Sequence, residues 1–430
     1  MKPAILDEDR PLRFCMITTF YPPYNFGGDG IFVHHLSNEL ARHGHVVEVI
    51  HCIDSYRLFA RGKPQGLFEN HPDVIVHGLK SSFGFLSPLA SQQTGFPVFK
   101  SGAIRKILEK DFDVIHFHNI SLLGPKVLEY GQAIKLYTLH EYWLICPTHA
   151  LYRFNREPCV RPYCLTCTLT YKRPPQWWRY SGLLESAIKH VDAFIAPSQI
   201  SLYKHRQMGL KAPIVHLPNF VPPTAAALAA SDESVGELSE QPYFLFVGRL
   251  EKLKGLQTLI PVFRRYRRAQ LLIAGSGSYE SQLRQIASGC PGIRFMGHVS
   301  GQRLQALYRG AVAVIYPSLN FQGFFELPRG TGAPLVVMEA FSQKTPVIVR
   351  NLGRIPDLIR ETDSGLVYNT DQELVADMDR LIADSPYQRQ LGLNGYRAFQ
   401  KNWTAEAHLE GYFALIRRVA TSGRPSVETL

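Results

Sequence analysis

Long apolar runs are missing from this chain of 430 residues. No stretch of about 18 or more uninterrupted apolar residues occurs, so no membrane-spanning helix is expected. Met1 to Arg10 is polar and charged and lacks the apolar centre of a secretory signal. A cytoplasmic protein is expected on these grounds. Charged residues are sparse at 19%, against 45% hydrophobic, which excludes a disordered polyelectrolyte and suits a globular chain. Acidic residues are the scarcer sign, 36 against 47 Lys and Arg, leaving a formal charge of +11. That excess suits an anionic partner such as nucleotide phosphate or a lipid headgroup. No nucleic-acid recognition motif accompanies it, so no nucleic acid is expected as a partner. The length exceeds what one hydrophobic core supports, and two domains follow.

Short β-branched strands alternate with amphipathic helices, the pattern of parallel sheets covered on both faces. In the first half, strands are expected at 13–20, 45–52, 74–79, 114–119, 134–141, 193–198 and 214–219, with a helix at 31–43. Residues 221–241, with Pro222-Pro223 and an Ala run, read as a linker. The plan then restarts, with strands at 243–250, 270–275, 293–297, 312–318, 346–350 and 365–368. Phe194-Ile195-Ala196-Pro197-Ser198 and Val314-Ile315-Tyr316-Pro317-Ser318 echo one another, as two similarly built domains would. The organisation expected is a Rossmann-like domain at 1–220 with a Cys-rich insertion at 146–180, a linker, a second domain at 242–404, and a helix and tail at 405–430 that returns to the first domain. In doubly wound sheets ligands lie beyond the carboxyl ends of strands.

The strand at Tyr243–Val247 runs into Gly248-Arg249-Leu250-Glu251-Lys252-Leu253-Lys254-Gly255. Arg249 and Lys254 on that loop can converge on one anion, assisted by the following helix N-terminus. A solvated basic turn is the alternative. Cys146, Cys159, Cys164 and Cys167 fall within a short span. Disulfides are uncommon in the cytosol, and a final Cys-x2-Cys pair suits tetrahedral zinc. A structural zinc and four reduced, partly buried thiols are the two readings. Lys172, Arg173 and Arg179 interleave with Trp177, Trp178 and Tyr180, which suits contact with an anionic membrane or a packed loop.

GRLEKLKG, then IAGSGS at 273–278, YPS at 316–318 and PLVVMEAFSQKTPVI at 334–348 together resemble the retaining GT-B-fold glycosyltransferases, most closely glycosyltransferase family 4. The resemblance extends over most of the chain. It implies an α/β fold of two Rossmann-like doubly wound domains facing across a cleft, an acceptor-side N-terminal domain and a nucleotide-sugar-binding C-terminal domain. It also implies that Arg249 and Lys254 hold the nucleotide diphosphate and stabilise it as it leaves. Glu339 matches the second glutamate of the family's paired motif, which binds the ribose; Leu335 and Val336 would present backbone groups near the nucleotide. Gly27 and Gly28, after Pro22-Pro23, resemble the first phosphate-approach loop. His140, at a strand end, matches the histidine that faces the donor sugar, and His118 is a second candidate for substrate contact. Cysteines after this histidine are common in such enzymes.

The departure is Thr331, where the family carries its first glutamate. A hydroxyl can bond sugar hydroxyls but brings no charge to a cationic sugar. Three outcomes are open: Thr331 substitutes with altered sugar selectivity, activity is lost, or Glu326 folds back to supply the carboxylate. The expected function is transfer of a sugar from a nucleoside-diphosphate sugar to an acceptor hydroxyl of a glycan or lipid-linked acceptor, in polysaccharide or glycolipid assembly, with no catalytic metal. The alternative is an inactive GT-B-like protein that binds a nucleotide or a partner. On either reading the protein is expected to be cytoplasmic, with contact on the cytosolic membrane face as the option that the aromatic-basic segment leaves open.

Overall fold

The computed structural model describes residues 10–422 except 27, 61, 63, 65–67, 150, 155–156, 160–162, 222–240, 300, 319–334 and 353–354. The chain divides into two compact units. One holds residues up to Asn219 together with the C-terminal segment from His408, and the other spans Phe220–Ala407.

The first unit is built on β1 (Arg13–Ile17), β2 (Val46–Cys52), β3 (Val74–Leu79), β4 (Val114–Phe117), β5 (Ile134–Thr138), then a small antiparallel pair β6 (Tyr152–Arg153) and β7 (Glu157–Pro158), and finally β8 (Ala193–Ala196) and β9 (Ile214–His216). Seven of these form one parallel sheet in the order β3-β2-β1-β4-β5-β8-β9. Central strands such as β4, β5 and β8 are buried along their whole length, as a sheet covered on both faces requires. Cys15, Ile17, Ile115, Phe117 and Tyr137 share one core with Trp143 and Phe194. Alternate residues point the other way: Phe14 stacks on Tyr412 of the C-terminal helix Ala405–Ser422.

The second unit carries β10 (Tyr243–Val247), β11 (Gln270–Ala274), β12 (Ile293–Gly297), β13 (Ala313–Tyr316), β14 (Val347–Arg350) and β15 (Gly365–Tyr368). They form a parallel sheet in the order β12-β11-β10-β13-β14-β15. Phe244, Phe246, Leu271 and Ile273 face one core and Tyr243, Leu245, Leu272 and Ala274 the other, the period-two alternation of a strand.

All thirteen strands expected from the sequence are present, each ending at or before the expected residue. Chain order reverses between β1 and β4 in one sheet and between β10 and β13 in the other. Those switch points are where open α/β sheets bind ligands. The expected linker falls almost wholly outside the described residues. Among the described residues, no helix is long and apolar enough to cross a membrane.

Candidate functional site

In the second unit, three loops at the switch point interlock through glycines. Gly255 sits at φ +80° after the turn Lys252–Lys254, and a Cβ there would lie 2.0 Å from the Pro317 carbonyl oxygen. Gly275, at φ +140°, would place a Cβ 1.9 Å from the Gly248 carbonyl oxygen. The Leu250 amide donates to the Ser276 carbonyl at 2.9 Å. Such approaches require residues without a Cβ, and they bind the segments after β10, β11 and β13 into one structure. Arg249 stands exposed on it, paired with Glu251 at 2.9 Å. An exposed pair of this kind contributes little to stability, so the guanidinium remains available to an anion. Lys254 ends the turn from which the helix Leu256–Arg265 departs.

Thr331 and Glu326 lie outside the described residues. Description resumes with the helix Leu335–Ser342. Leu335 and Val336 are half-buried in its first turn, where amide N–H groups lack intrahelical acceptors. Glu339 follows one turn later and accepts a 2.6 Å hydrogen bond from the Tyr308 hydroxyl at Oε2. Burial pushes the Glu339 carboxyl up, and the Tyr308 bond opposes that shift. Tyr308 is itself held, since its carbonyl accepts from Thr345 Oγ1 at 2.8 Å. Sequence reasoning passed over Tyr308, which has no local signature beyond an apolar position in the helix Gly301–Gly310.

In the first unit, Gly28 opens the helix Gly28–Arg42, and Gly27 lies outside the described residues. Gly30 packs tightly: a Cβ there would meet Asn25 Oδ1 at 2.3 Å and the Phe20 carbonyl oxygen at 2.8 Å. Asp29 accepts from Asn119 Nδ2 at 3.0 Å. His118 and His140, beyond the ends of β4 and β5, meet with Nδ1 of the first 3.0 Å from Nε2 of the second. Burial lowers the His118 imidazole well below its ordinary value and His140 to about 4, although the Asp29 carboxylate pulls His140 upward. Both rings are therefore neutral near pH 7. Phe32 packs edge-on against His140 and against His408 of the C-terminal helix. Asp29, Asn119 and His408 were not singled out from the sequence. For Asp29 the signal was its position just after the glycine pair.

The four cysteines Cys146, Cys159, Cys164 and Cys167 line one cavity of about 10 Å³. Burial and the neighbouring cysteines raise the Cys159 thiol to about 11. Cys167 Sγ accepts from the Phe154 amide at 3.3 Å. Among the described residues, none of the seven cysteines is joined in a disulfide. Among the described residues, no group of three or more His, Cys, Asp or Glu side chains is arranged to hold a metal ion.

The aromatic-basic segment divides. Arg179 donates to the carbonyls of Trp143 and Leu144 at 2.6 and 3.2 Å, and its guanidinium lies over the rings of Trp143 and Trp178. Burial lowers it to about 10. Trp178 is buried and donates to the Gln92 carbonyl, so these two residues hold a loop together. Trp177 and Tyr180 point outward, 60% and 61% exposed. Phe83, Phe85, Leu86, Phe96, Val98 and Phe99 are exposed in the adjoining segment.

Each unit is thus a doubly wound parallel sheet, the second with a glycine-locked basic loop and a tethered glutamate at its switch point. Residues 26–225 match the model for Glycosyltransferase Family 4, and residues 229–398 match that for Glycosyl transferases group 1. The chain is a GT-B-fold glycosyltransferase, its two halves matching the two models in turn. It is 27% identical over 411 residues to a glycosyltransferase of Methanocaldococcus jannaschii, covering 87% of this chain and 90% of that one. Among solved structures it resembles sucrose-phosphate synthase from Thermosynechococcus elongatus, with a TM-score of 0.67 and 19% identity over 96% of this chain and 100% of that one. It also resembles HepE of Anabaena in complex with UDP, at a TM-score of 0.59 and 15% identity, over 94% and 99% of the two chains.

Proposed function

We propose that the chain transfers a sugar from a nucleoside-diphosphate sugar to an acceptor hydroxyl with retention of anomeric configuration, in assembly of a polysaccharide or glycolipid. The second unit takes the nucleotide and the first takes the acceptor. The observation that carries this reading is the Tyr308–Glu339 pair in the unit that presents Arg249 and Lys254. A carboxylate fixed at one oxygen keeps the other for ribose hydroxyls, while the two cations meet the diphosphate. Charge builds on the bridging oxygen as the sugar–oxygen bond breaks, and fixed cations there lower the barrier without a divalent ion. The departing phosphate oxygen takes the acceptor proton as the hydroxyl attacks the same face. His140, neutral, hydrogen-bonds the donor sugar, and the amides at Gly28 and at the start of the helix Leu335–Ser342 approach phosphate or nucleotide. The likeness to a structure holding UDP supports a nucleotide-sugar donor.

The test is release of nucleoside diphosphate from UDP-, GDP-, ADP- and TDP-sugars in the presence of glycan and lipid-linked acceptors, with the product anomer read by NMR. Release with a retained anomer is expected. Nucleotide binding without release for every donor would favour the silent, nucleotide-binding reading that Thr331 raises.

Two further features belong to this proposal. The exposed aromatic face, with Lys80 close in sequence and Lys126 lying over the Phe96 ring at 5.7 Å, is read as the surface that meets anionic lipid on the cytosolic side. The four cysteines are read as ligands of a structural zinc. Their spacing and their shared cavity favour this, and the side chains would have to draw together on binding, since as they stand they form no metal site.

A further inference from the structure

His140 is not an isolated imidazole. Its ring stacks against His118 at 5.3 Å and 23°, with Nε2 of His140 3.0 Å from Nδ1 of His118. A bond between two neutral imidazoles needs one N–H and one lone pair. The other nitrogen of His118 decides which ring donates. His118 is 1% exposed, and its Nε2 is buried with no hydrogen-bond partner. A proton there would leave a buried N–H without an acceptor, a rare and costly condition, whereas an unused lone pair costs less. The proton of His118 therefore sits on Nδ1 and is donated to His140 Nε2. That nitrogen of His140 is then the acceptor, and its own proton is left on Nδ1.

The surroundings hold this arrangement. His116 lies 4.0 Å from His118, centroid to centroid, and is anchored at Nδ1 by the Tyr412 hydroxyl and at Nε2 by Thr138 Oγ1. His408 has Nδ1 2.7 Å from the Pro218 carbonyl oxygen, an acceptor, so its Nδ1 carries the proton. The titratable groups around the pair are Asp29 on the helix Gly28–Arg42, His116 beyond β4's midpoint, and His408 on the C-terminal helix. Burial and the three neighbouring imidazoles oppose a charged His118.

We propose that His118 is a positioning residue that fixes His140 as its Nδ1–H tautomer, so that His140 offers the donor sugar an uncharged N–H donor and no basic lone pair. This rests on the reading that His140 faces the sugar, and it assigns His140 to hydrogen-bond donation, not to removal of the acceptor proton. His118 acts through His140 and does not itself meet substrate.

The test is a long-range ¹H–¹⁵N correlation spectrum of the full-length, ligand-free protein, with His140 assigned by its loss in His140→Gln. A pyrrole-type nitrogen at Nδ1 and a pyridine-type nitrogen at Nε2 are expected. His118→Asn, which keeps a short N–H donor, should preserve that pattern and His118→Phe should abolish it. With an active donor–acceptor pair, kcat should fall about tenfold in His118→Phe, one hydrogen bond's worth, and recover in His118→Asn. An Nε2–H tautomer in the unmodified protein, or an Nδ1–H tautomer that survives in His118→Phe, overturns the proposal. Because the spectrum needs no substrate, the tautomer can stand while sugar transfer fails, and the reverse.

Discussion

The Tyr308 hydroxyl donates to Glu339 Oε2 at 2.6 Å, joining the helix Gly301–Gly310 to the helix Leu335–Ser342. Tyr308→Phe keeps the ring and removes the bond. A hydrogen bond to a charged carboxylate is worth about 1.5 kcal/mol or somewhat more, so KM for the nucleotide sugar should rise about tenfold. If Glu339 meets the ribose alike in ground and transition states, kcat should change little. An unchanged KM would separate Glu339 from nucleotide binding.

Acid should loosen the first unit and spare the second. Of the sixteen histidines, only His298 lies in Phe220–Ala407. Burial holds His140, His205 and His408 at about 4, below the 6.5 of an unfolded chain. Unfolded chains then bind more protons between pH 6.5 and about 4, so the stability these groups contribute is present above pH 6.5 and is lost as pH falls through that window. Each contributes about 2 kcal/mol of destabilisation by pH 5. In the second unit, Asp377 is raised to about 6 by burial, which has the opposite sign. Hydrogen exchange corrected for intrinsic rates should show protection falling from pH 7 to 5 in residues 10–219 and 408–422, and holding in 243–402. Equal loss in both would contradict the assignment.

Membrane contact should depend on the outward aromatics and not on the buried ones. Binding to vesicles containing phosphatidylglycerol should exceed binding to phosphatidylcholine alone by about tenfold or more, at about 1 kcal/mol per cation near the surface. The double substitution Phe85→Ser with Trp177→Ser should reduce it. Equal binding to both lipids, or no effect of the substitutions, would remove lipid as the partner of this face.

The architecture was legible because parallel strands buried on both faces write short apolar, β-branched runs, as β14 does with Val347-Ile348-Val349. Strand ends also mark Arg249, His118 and His140, which lie just beyond β10, β4 and β5. Other contributions were not legible because they arise from tertiary contact alone. Tyr412 reads as one apolar position on the C-terminal helix, yet its hydroxyl reaches His116 at 2.9 Å, 296 residues away in sequence. Trp178 and Arg179 read as either membrane contact or a packed loop, and only their tertiary partners decide for the loop. Their polar groups find backbone carbonyls and the guanidinium finds two indole faces, which makes burial affordable. The short β6–β7 hairpin beside the cysteines carries no strand signal, being two residues on each side.

The cysteine cluster has a direct assay. Protein purified without chelator should carry about one zinc per chain, with the four cluster thiols shielded from titration until a chelator is added. Zinc near zero, with thiol titration unchanged by chelator, would leave these residues as reduced thiols.

The central claim is that Arg249 and Lys254 stabilise a departing nucleoside diphosphate. Turnover of Arg249→Ala and Lys254→Ala, measured with a productive donor and acceptor at saturating concentrations, tests it most directly. Each should fall at least about 100-fold, the usual loss when a fixed charge at a developing anion is removed. Near-normal turnover in both variants would contradict the account.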